Sequence, residues 1–326
     1  MRILVLGGTL FLGRHLVEAA LGRGHDVTLF NRGETNPELF PDVEKLRGDR
    51  DGELAALEGR RWDAAIDTSG YVPRVVRASA KLLAGAVEHY TFVSSLSVNM
   101  PTAKTGLTED DPVHELETEG NEDVNAHYGP LKALCERAVE EALPGRALQL
   151  RSGLIVGPHD PTRRFTYWVE RVARGGDLVA PAPPEQLVQL IDVRDLAGWT
   201  IDGVEERRTG TFNVTGPVRT FAEMLGACRA AGASDARPVW VPEEVLLAHG
   251  VDLPLWIPLE SHPQWAGFFA VSTARAEAHG LRCRPLEESA RTILMSREAP
   301  SRKFGPSVPP AELDPELEAR ILQAAA

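Results

Sequence analysis

Arg2-Ile3-Leu4-Val5-Leu6-Gly7-Gly8-Thr9-Leu10-Phe11-Leu12-Gly13 opens the chain and decides its fold. The run up to Leu6 is short and apolar, the pattern of a strand buried on both faces of a parallel sheet. Two glycines end it. Leu12, Leu16, Val17 and Ala20 then recur at helical spacing, so a helix follows at once. Asp26-Val27-Thr28-Leu29-Phe30 reads as a second strand. The turn of such a βαβ unit aims backbone N–H groups and a helix N-terminus at a phosphate. This predicts a dinucleotide held by Gly7, Gly8, Thr9, Leu10, Phe11, Leu12 and Gly13. In a G-x-x-G-x-x-G spacing the fourth position is glycine. Here it is Leu10, whose side chain is expected to crowd the phosphates or reshape the loop.

The alternation continues outward. Residues 43–47, 62–67, 89–94 and 147–151 read as strands. Residues 51–58, capped by Asp51, 73–84, with Pro73 in the first turn, and 128–142 read as helices. The fold class implied is α/β, a Rossmann-type doubly wound parallel sheet with a smaller C-terminal substrate lobe. In the less regular second half, 165–174 and 221–231 read as helices, and 187–192 and 211–214 as strands returning to the first domain. Residues 254–269 gather Trp256, Trp265, Phe268 and Phe269, either a pocket wall or the core of the lobe. The expected division is a dinucleotide-binding domain (1–157 and 185–216), a substrate-binding lobe (158–184 and 217–300) and a C-terminal tail (301–326) ending in a helix over 310–325.

Tyr128 and Lys132 stand four apart in Tyr128-Gly129-Pro130-Leu131-Lys132, so on a helix they share a face. An ammonium beside a phenol favours the phenolate and gives a usable proton donor and acceptor near neutral pH. Together with the glycine turn, the pair points to hydride chemistry on a nicotinamide cofactor, the tyrosine moving the proton. The plainer reading is a packed tyrosine and an exposed lysine on a surface helix.

These segments, with Gly48-Asp49-Arg50, Phe92-Val93-Ser94-Ser95, Arg151 to Pro158 and Ile191-Asp192-Val193-Arg194-Asp195, resemble an extended short-chain dehydrogenase/reductase of the NAD-dependent epimerase/dehydratase type. The likeness runs from Met1 to about Pro217. It implies Tyr128, Lys132 and Ser95 as catalytic residues: general acid/base, partner that lowers the tyrosine's pKa and holds the nicotinamide ribose, and hydroxyl on the reacting oxygen. Ser94 and Ser97 are alternatives to Ser95. It implies Asp49 at the adenine, Arg50 beside it, and Thr68, Ser69 and Gly70 at the ribose and pyrophosphate. Arg151 begins the segment that places the nicotinamide, although Ser152 stands where the family has proline and Asn99 where many relatives have tyrosine. A nucleotide sugar and a small carbonyl compound both fit as substrate. The Gly-Gly-Thr-x-Phe-x-Gly opening is also similar to a branch with chloroplast stem-loop RNA-binding proteins, so a nucleic-acid-binding or regulatory protein on the same fold is the rival reading.

The second strand ends in Asn31-Arg32-Gly33. No acid stands there to bond the adenosine ribose hydroxyls, and Arg32 suits a 2′-phosphate, which favours NADP over NAD. Otherwise Arg32 only decorates a turn. Cys135, Cys228 and Cys283 are widely spaced and read as reduced thiols, and His114 and His127 show no zinc spacing, so no metal is expected. Met1 leads straight into the first strand, and no apolar run reaches about 18 residues. A cytoplasmic protein with no membrane contact is expected, and a homodimer is left open.

The chain has 326 residues and a net charge of -12, with 43% hydrophobic and 25% charged residues. An acidic chain gains little from counterion release on a phosphate backbone. Its densest basic stretch, 163–174, is interrupted by Glu170 and reads as a solvated helix face. RNA binding at physiological salt is therefore expected to be weak. A gel-shift series showing tight binding with a steep salt slope would favour the nucleic-acid reading.

Overall fold

The structure, a computed structural model, describes residues 1–118, 120–296 and 313–325. The first half runs β1 (Arg2–Leu6), α1 (Phe11–Gly22), β2 (Asp26–Asn31), β3 (Glu44–Arg47), β4 (Ala64–Asp67), α2 (Pro73–Leu83), β5 (His89–Ser95), α3 (Val124–Ala142) and β6 (Ala147–Ser152). There follow β7 (Leu154–Val156), α4 (Arg164–Ala173), β8 (Asp177–Pro181), β9 (Leu187–Asp192), α5 (Val193–Glu205), β10 (Gly210–Val214), β11 (Val218–Thr220), α6 (Phe221–Gly232) and β12 (Arg237–Val241). The last elements are α7 (Glu243–Ala248), α8 (Ala274–Ala278), α9 (Leu286–Ser296) and α10 (Pro315–Ala325).

The main sheet has the order β10-β6-β5-β4-β1-β2-β3, with every neighbouring pair parallel. The order reverses beside β1: the chain steps outward to β3, then crosses to β4 on the other side. Loops leaving the C-terminal ends of β1 and β4 therefore part and open a crevice. Alternation along β1 sends Ile3 and Val5 into the core under α1 and α5, and Leu4 and Leu6 into the core under α2 and α3. A third core, built on Phe165, Trp168, Leu178, Phe221 and Leu246, lies among α4, β8, α6, β12 and α7.

One buried charge governs the crevice. Asp67 ends β4 with no solvent exposure. Arg50 grips it with both arms, at 2.6 and 2.7 Å, and also donates to Ser79 Oγ at 2.8 Å. Tyr90 donates its hydroxyl to the same carboxylate at 3.0 Å, and the Ser69 N–H does so at 3.1 Å. Burial opposes the charged carboxylate, yet Arg50 holds its pKa below the usual value.

Two expectations need correction, and two others are made specific by the packing. Residues 51–58 form only a short 3-10 turn at Ala55–Leu57, because Gly52 takes a φ of 104° and the Asp51 carboxylate pairs with Arg74 instead of capping a helix. β9 does not return to the main sheet: it pairs with β7 and β11 in a three-stranded sheet of its own, while β10 does return. The helix expected at the end of the C-terminal tail is present. α10 seats Ile321 in the third core, and Glu318 pairs with Arg171 at 2.9 Å. The linker expected before it, 301–312, lies outside the described residues. Trp256 belongs to the third core, whereas Trp265 and Phe268 pack on Leu96, Met100, Leu107 and Val271. Among the described residues, no helix is long and apolar enough to cross a membrane.

Removing one partner of a buried pair leaves an uncompensated charge. Arg50→Met is expected to cost about 3–5 kcal/mol in urea unfolding, and Asp67→Asn added to it is expected to recover part of that loss. A loss near zero would show that the pair does not hold the crevice.

Candidate active site

The glycine turn leaves β1 with positive φ at Gly7 and Gly8, 107° and 93°. An added Cβ on Gly7 would sit 2.5 Å from Thr68 Oγ1, and one on Gly13 would sit 2.9 Å from the Gly8 nitrogen. These contacts bring the turn against the loop after β4 and press α1 onto its own entry. Leu10 is the N-cap of α1 and lies in extended backbone, φ -133° and ψ 136°, so position 10 does not need glycine. The strained residue is Phe11, at φ 37°. No side chain caps α1, which leaves its first N–H groups for an anion. The cradle that side chains would fill and the uncapped helix start both fit a pyrophosphate.

Across the crevice, α3 carries Tyr128. The helical backbone is interrupted at His127, φ -129° and ψ 32°, so a fresh helical turn begins at Tyr128. Pro130 falls in that first turn, where no N–H is needed. Gly129 lets α3 approach the loop after β5 so closely that a Cβ there would collide with the Ser97 carbonyl oxygen. Tyr128 thereby comes beside Ser95, the last residue of β5. The Ser95 hydroxyl donates to Ser97 Oγ at 3.1 Å. The Tyr71 ring lies 6.3 Å from that of Tyr128.

Burial pushes the Tyr128 phenol up to about 12, and Ser95 only partly opposes it. The net shift is upward, against the lowering expected from Lys132. Lys132 is buried and its ammonium donates to the carbonyls of Gly70 at 2.7 Å and Val93 at 2.5 Å, with the Phe92 ring 4.3 Å away. No hydrogen bond joins it to Tyr128. Desolvation draws the lysine down to about 8. Helical spacing put both residues on one helix but did not show where the ammonium ends.

Several other residues ascribed to the site hold its frame. Ser94 donates to Glu136 at 2.5 Å, and Arg151 pairs with the same carboxylate at 2.9 and 3.0 Å. Arg50 is committed to Asp67. Thr68 donates to the Leu6 carbonyl at 2.8 Å beside Gly7, and Gly70 fits against the Phe92 ring. Asn99 is buried and donates to the Pro112 carbonyl at 2.7 Å, holding the loop beyond β5. At the far end of the crevice, Asn31 donates to the Gly7 carbonyl at 2.8 Å, and Arg32 lies 3.2 Å from Glu34 and 3.8 Å from Asp49. Asp49 accepts from the Asp51 N–H at 2.9 Å.

A hollow of about 470 Å³ meets the turn at Thr9, Leu10 and Phe11 and continues to Arg14, His159 and Asp160. Tyr128 is not on its wall. Sequence reasoning missed Tyr71 and Arg164. Arg164 opens α4, is desolvated, and lies near enough to Tyr128 for each to feel the other's charge. Neither sits in a motif that would have marked it.

The model of the NAD dependent epimerase/dehydratase family matches residues 3–214. The chain belongs to that family. Among curated relatives, the chloroplast stem-loop binding protein of 41 kDa b of Arabidopsis thaliana is 26% identical over 71% of this chain, which spans 63% of that relative's length. The epimerase family protein SDR39U1 of Bos taurus is 26% identical over 74% of this chain and 83% of its own. Among solved structures, the Bordetella bronchiseptica enzyme WbmH in complex with NAD+ superposes with a TM-score of 0.67 at 15% identity, covering 92% of this chain and 99% of that one. At that identity the likeness shows the Rossmann fold alone.

Within this family member, the buried lysine gives a pH signature. Its ammonium titrates at about 8 when folded and near 10.5 when unfolded. Between those values the unfolded chain holds a proton that the folded chain has released, so this residue makes stability rise with pH. Unfolding free energies of wild type minus Lys132→Met are expected to be flat below pH 8 and to move in favour of wild type from pH 8 to 10. A flat difference throughout would show that the lysine is not desolvated.

Proposed function

We propose that this chain is an NAD(P)-dependent oxidoreductase or epimerase acting on a carbonyl or hydroxyl group, with Tyr128 as general acid/base. The observation that carries it is Tyr128 beside Ser95 at the C-terminal edge of the sheet that also presents the glycine turn. Gly7 to Gly13 would hold the pyrophosphate, and Thr68 to Gly70 would border it. When bound, the nicotinamide supplies or accepts a hydride. The Tyr128 phenol stands protonated at neutral pH and gives its proton to the substrate oxygen. The Ser95 hydroxyl orients that oxygen and stabilises charge developing on it. Lys132 acts by holding the Gly70 and Val93 carbonyls in place. Its charge is shared with the backbone, and the buried phenol keeps its proton at neutral pH.

The cofactor we favour is NADP, because Asn31 replaces an acid at the end of β2. The substrate we favour is a small molecule, with a nucleotide sugar and a simple carbonyl compound both fitting. The rival reading, a nucleic-acid-binding or regulatory protein, draws on the likeness to the chloroplast stem-loop binding protein. The basic stretch gives it little support, since Arg163 pairs with Glu170 and Arg171 with Glu318.

Calorimetric titration with NADPH and NADH is expected to show saturable binding of at least one. Oxidation of that cofactor across a panel of aldehydes and ketones is expected to fall about a hundredfold or more in Tyr128→Phe, with cofactor binding retained. Neither heat nor thermal stabilisation at millimolar cofactor would sink the reading. Unchanged turnover in the variant would remove Tyr128 from the mechanism.

A further inference from the structure

We infer that Arg47, at the end of β3, reads the 2′-phosphate of NADPH and sets the cofactor preference, while Arg32 screens neighbouring acids. The inference rests on the cofactor-binding reading above.

Asn31 and Arg47 are opposed in the parallel pairing of β2 and β3. Asn31 occupies the end of β2, where an acidic side chain would bond the adenosine ribose hydroxyls and repel a phosphate. Its side chain is locked in place. Its amide donates to the Gly7 carbonyl at 2.8 Å, and its oxygen accepts from the Gly33 N–H at 3.0 Å and from Arg47 Nη1. The glycine turn, the end of β2 and the Arg47 guanidinium are thus one connected unit.

Gly33 holds that guanidinium in position. It has a φ of 79°, and an added Cβ would lie 2.7 Å from Arg47 Cζ and Nη1. The guanidinium therefore lies against the glycine backbone, on the turn that follows the ribose-reading residue. Arg47 is exposed, and among the described residues no carboxylate pairs with it and Asn31 is its only hydrogen-bond partner. Its remaining N–H donors keep the planar fork that suits a phosphate.

Arg32 is differently placed. It lies 3.2 Å from Glu34 and 3.8 Å from Asp49. To grip a phosphate it would have to leave two carboxylates, which would then face the incoming anion unscreened. Kept where it is, it lowers their repulsion and leaves the phosphate to Arg47.

The test measures dissociation constants of NADPH and NADH for the full chain, with 2′,5′-ADP and 5′-AMP as probes of the phosphate alone. Arg47→Gln keeps a donor for Asn31 and removes the charge. It is expected to weaken NADPH and 2′,5′-ADP by about tenfold or more while NADH and 5′-AMP change by about twofold or less. Gly33→Ala pushes the guanidinium aside and is expected to reproduce the selective loss with Arg47 still present. Arg32→Gln is expected to change the ratio less. An unchanged ratio in Arg47→Gln, a larger change in Arg32→Gln, or a wild type that prefers NADH would each overturn the inference while leaving cofactor binding intact. A wild type that binds neither cofactor would overturn both readings. Should Arg47→Gln fail to fold, the wild-type ratio and Gly33→Ala decide.

Discussion

The ion pair between Arg50 and Asp67 is the constraint on which the crevice depends. A carboxylate at the centre of a parallel sheet is tolerable only when fully paired, and Asp67 is paired by Arg50, Tyr90 and the Ser69 N–H together. That requirement draws the loop after β3 over the sheet and fixes the first residues of the loop after β4. Gly7 then packs on Thr68, and Lys132 on the Gly70 carbonyl. A second buried pair, Arg151 with Glu136, fixes Ser94 and the strand beside it. The floor of the site is thus a row of paired charges, in which Arg50 Nε alone is left without a hydrogen-bond partner among these groups.

The consequence is a division of labour that residue type alone conceals. Arg50, Ser94, Arg151 and Lys132 hold the frame. Tyr71, Ser95 and Arg164 lie around Tyr128. Burial desolvates the phenol, which keeps its proton at neutral pH, while the Lys132 ammonium is bound to two carbonyls.

The fold was largely legible because its signals are local. An apolar run, two glycines and a helical repeat in the first 22 residues define β1 and α1, and the same alternation recurs through β6. Interactions between distant residues were not legible. The Arg50–Asp67 pair needs the sheet to form, and the Asn31–Arg47 contact needs the register of β2 on β3. Residues 187–192 read correctly as a strand, but only pairing with β7 and β11 shows which sheet it joins. Leu10 looked like a defect by spacing. In the structure it is extended, and the positive φ has moved one residue on, to Phe11. In the site, Tyr128 and Ser95 could be singled out from sequence, whereas Tyr71 and Arg164 reach it through folding alone.

A crystal structure of the chain grown with NADPH tests the central claim most directly. The account predicts the pyrophosphate across Gly7 to Gly13 at the start of α1, and the nicotinamide ring beside Tyr128 and Ser95. A dinucleotide bound elsewhere, or a nicotinamide remote from Tyr128, would contradict it.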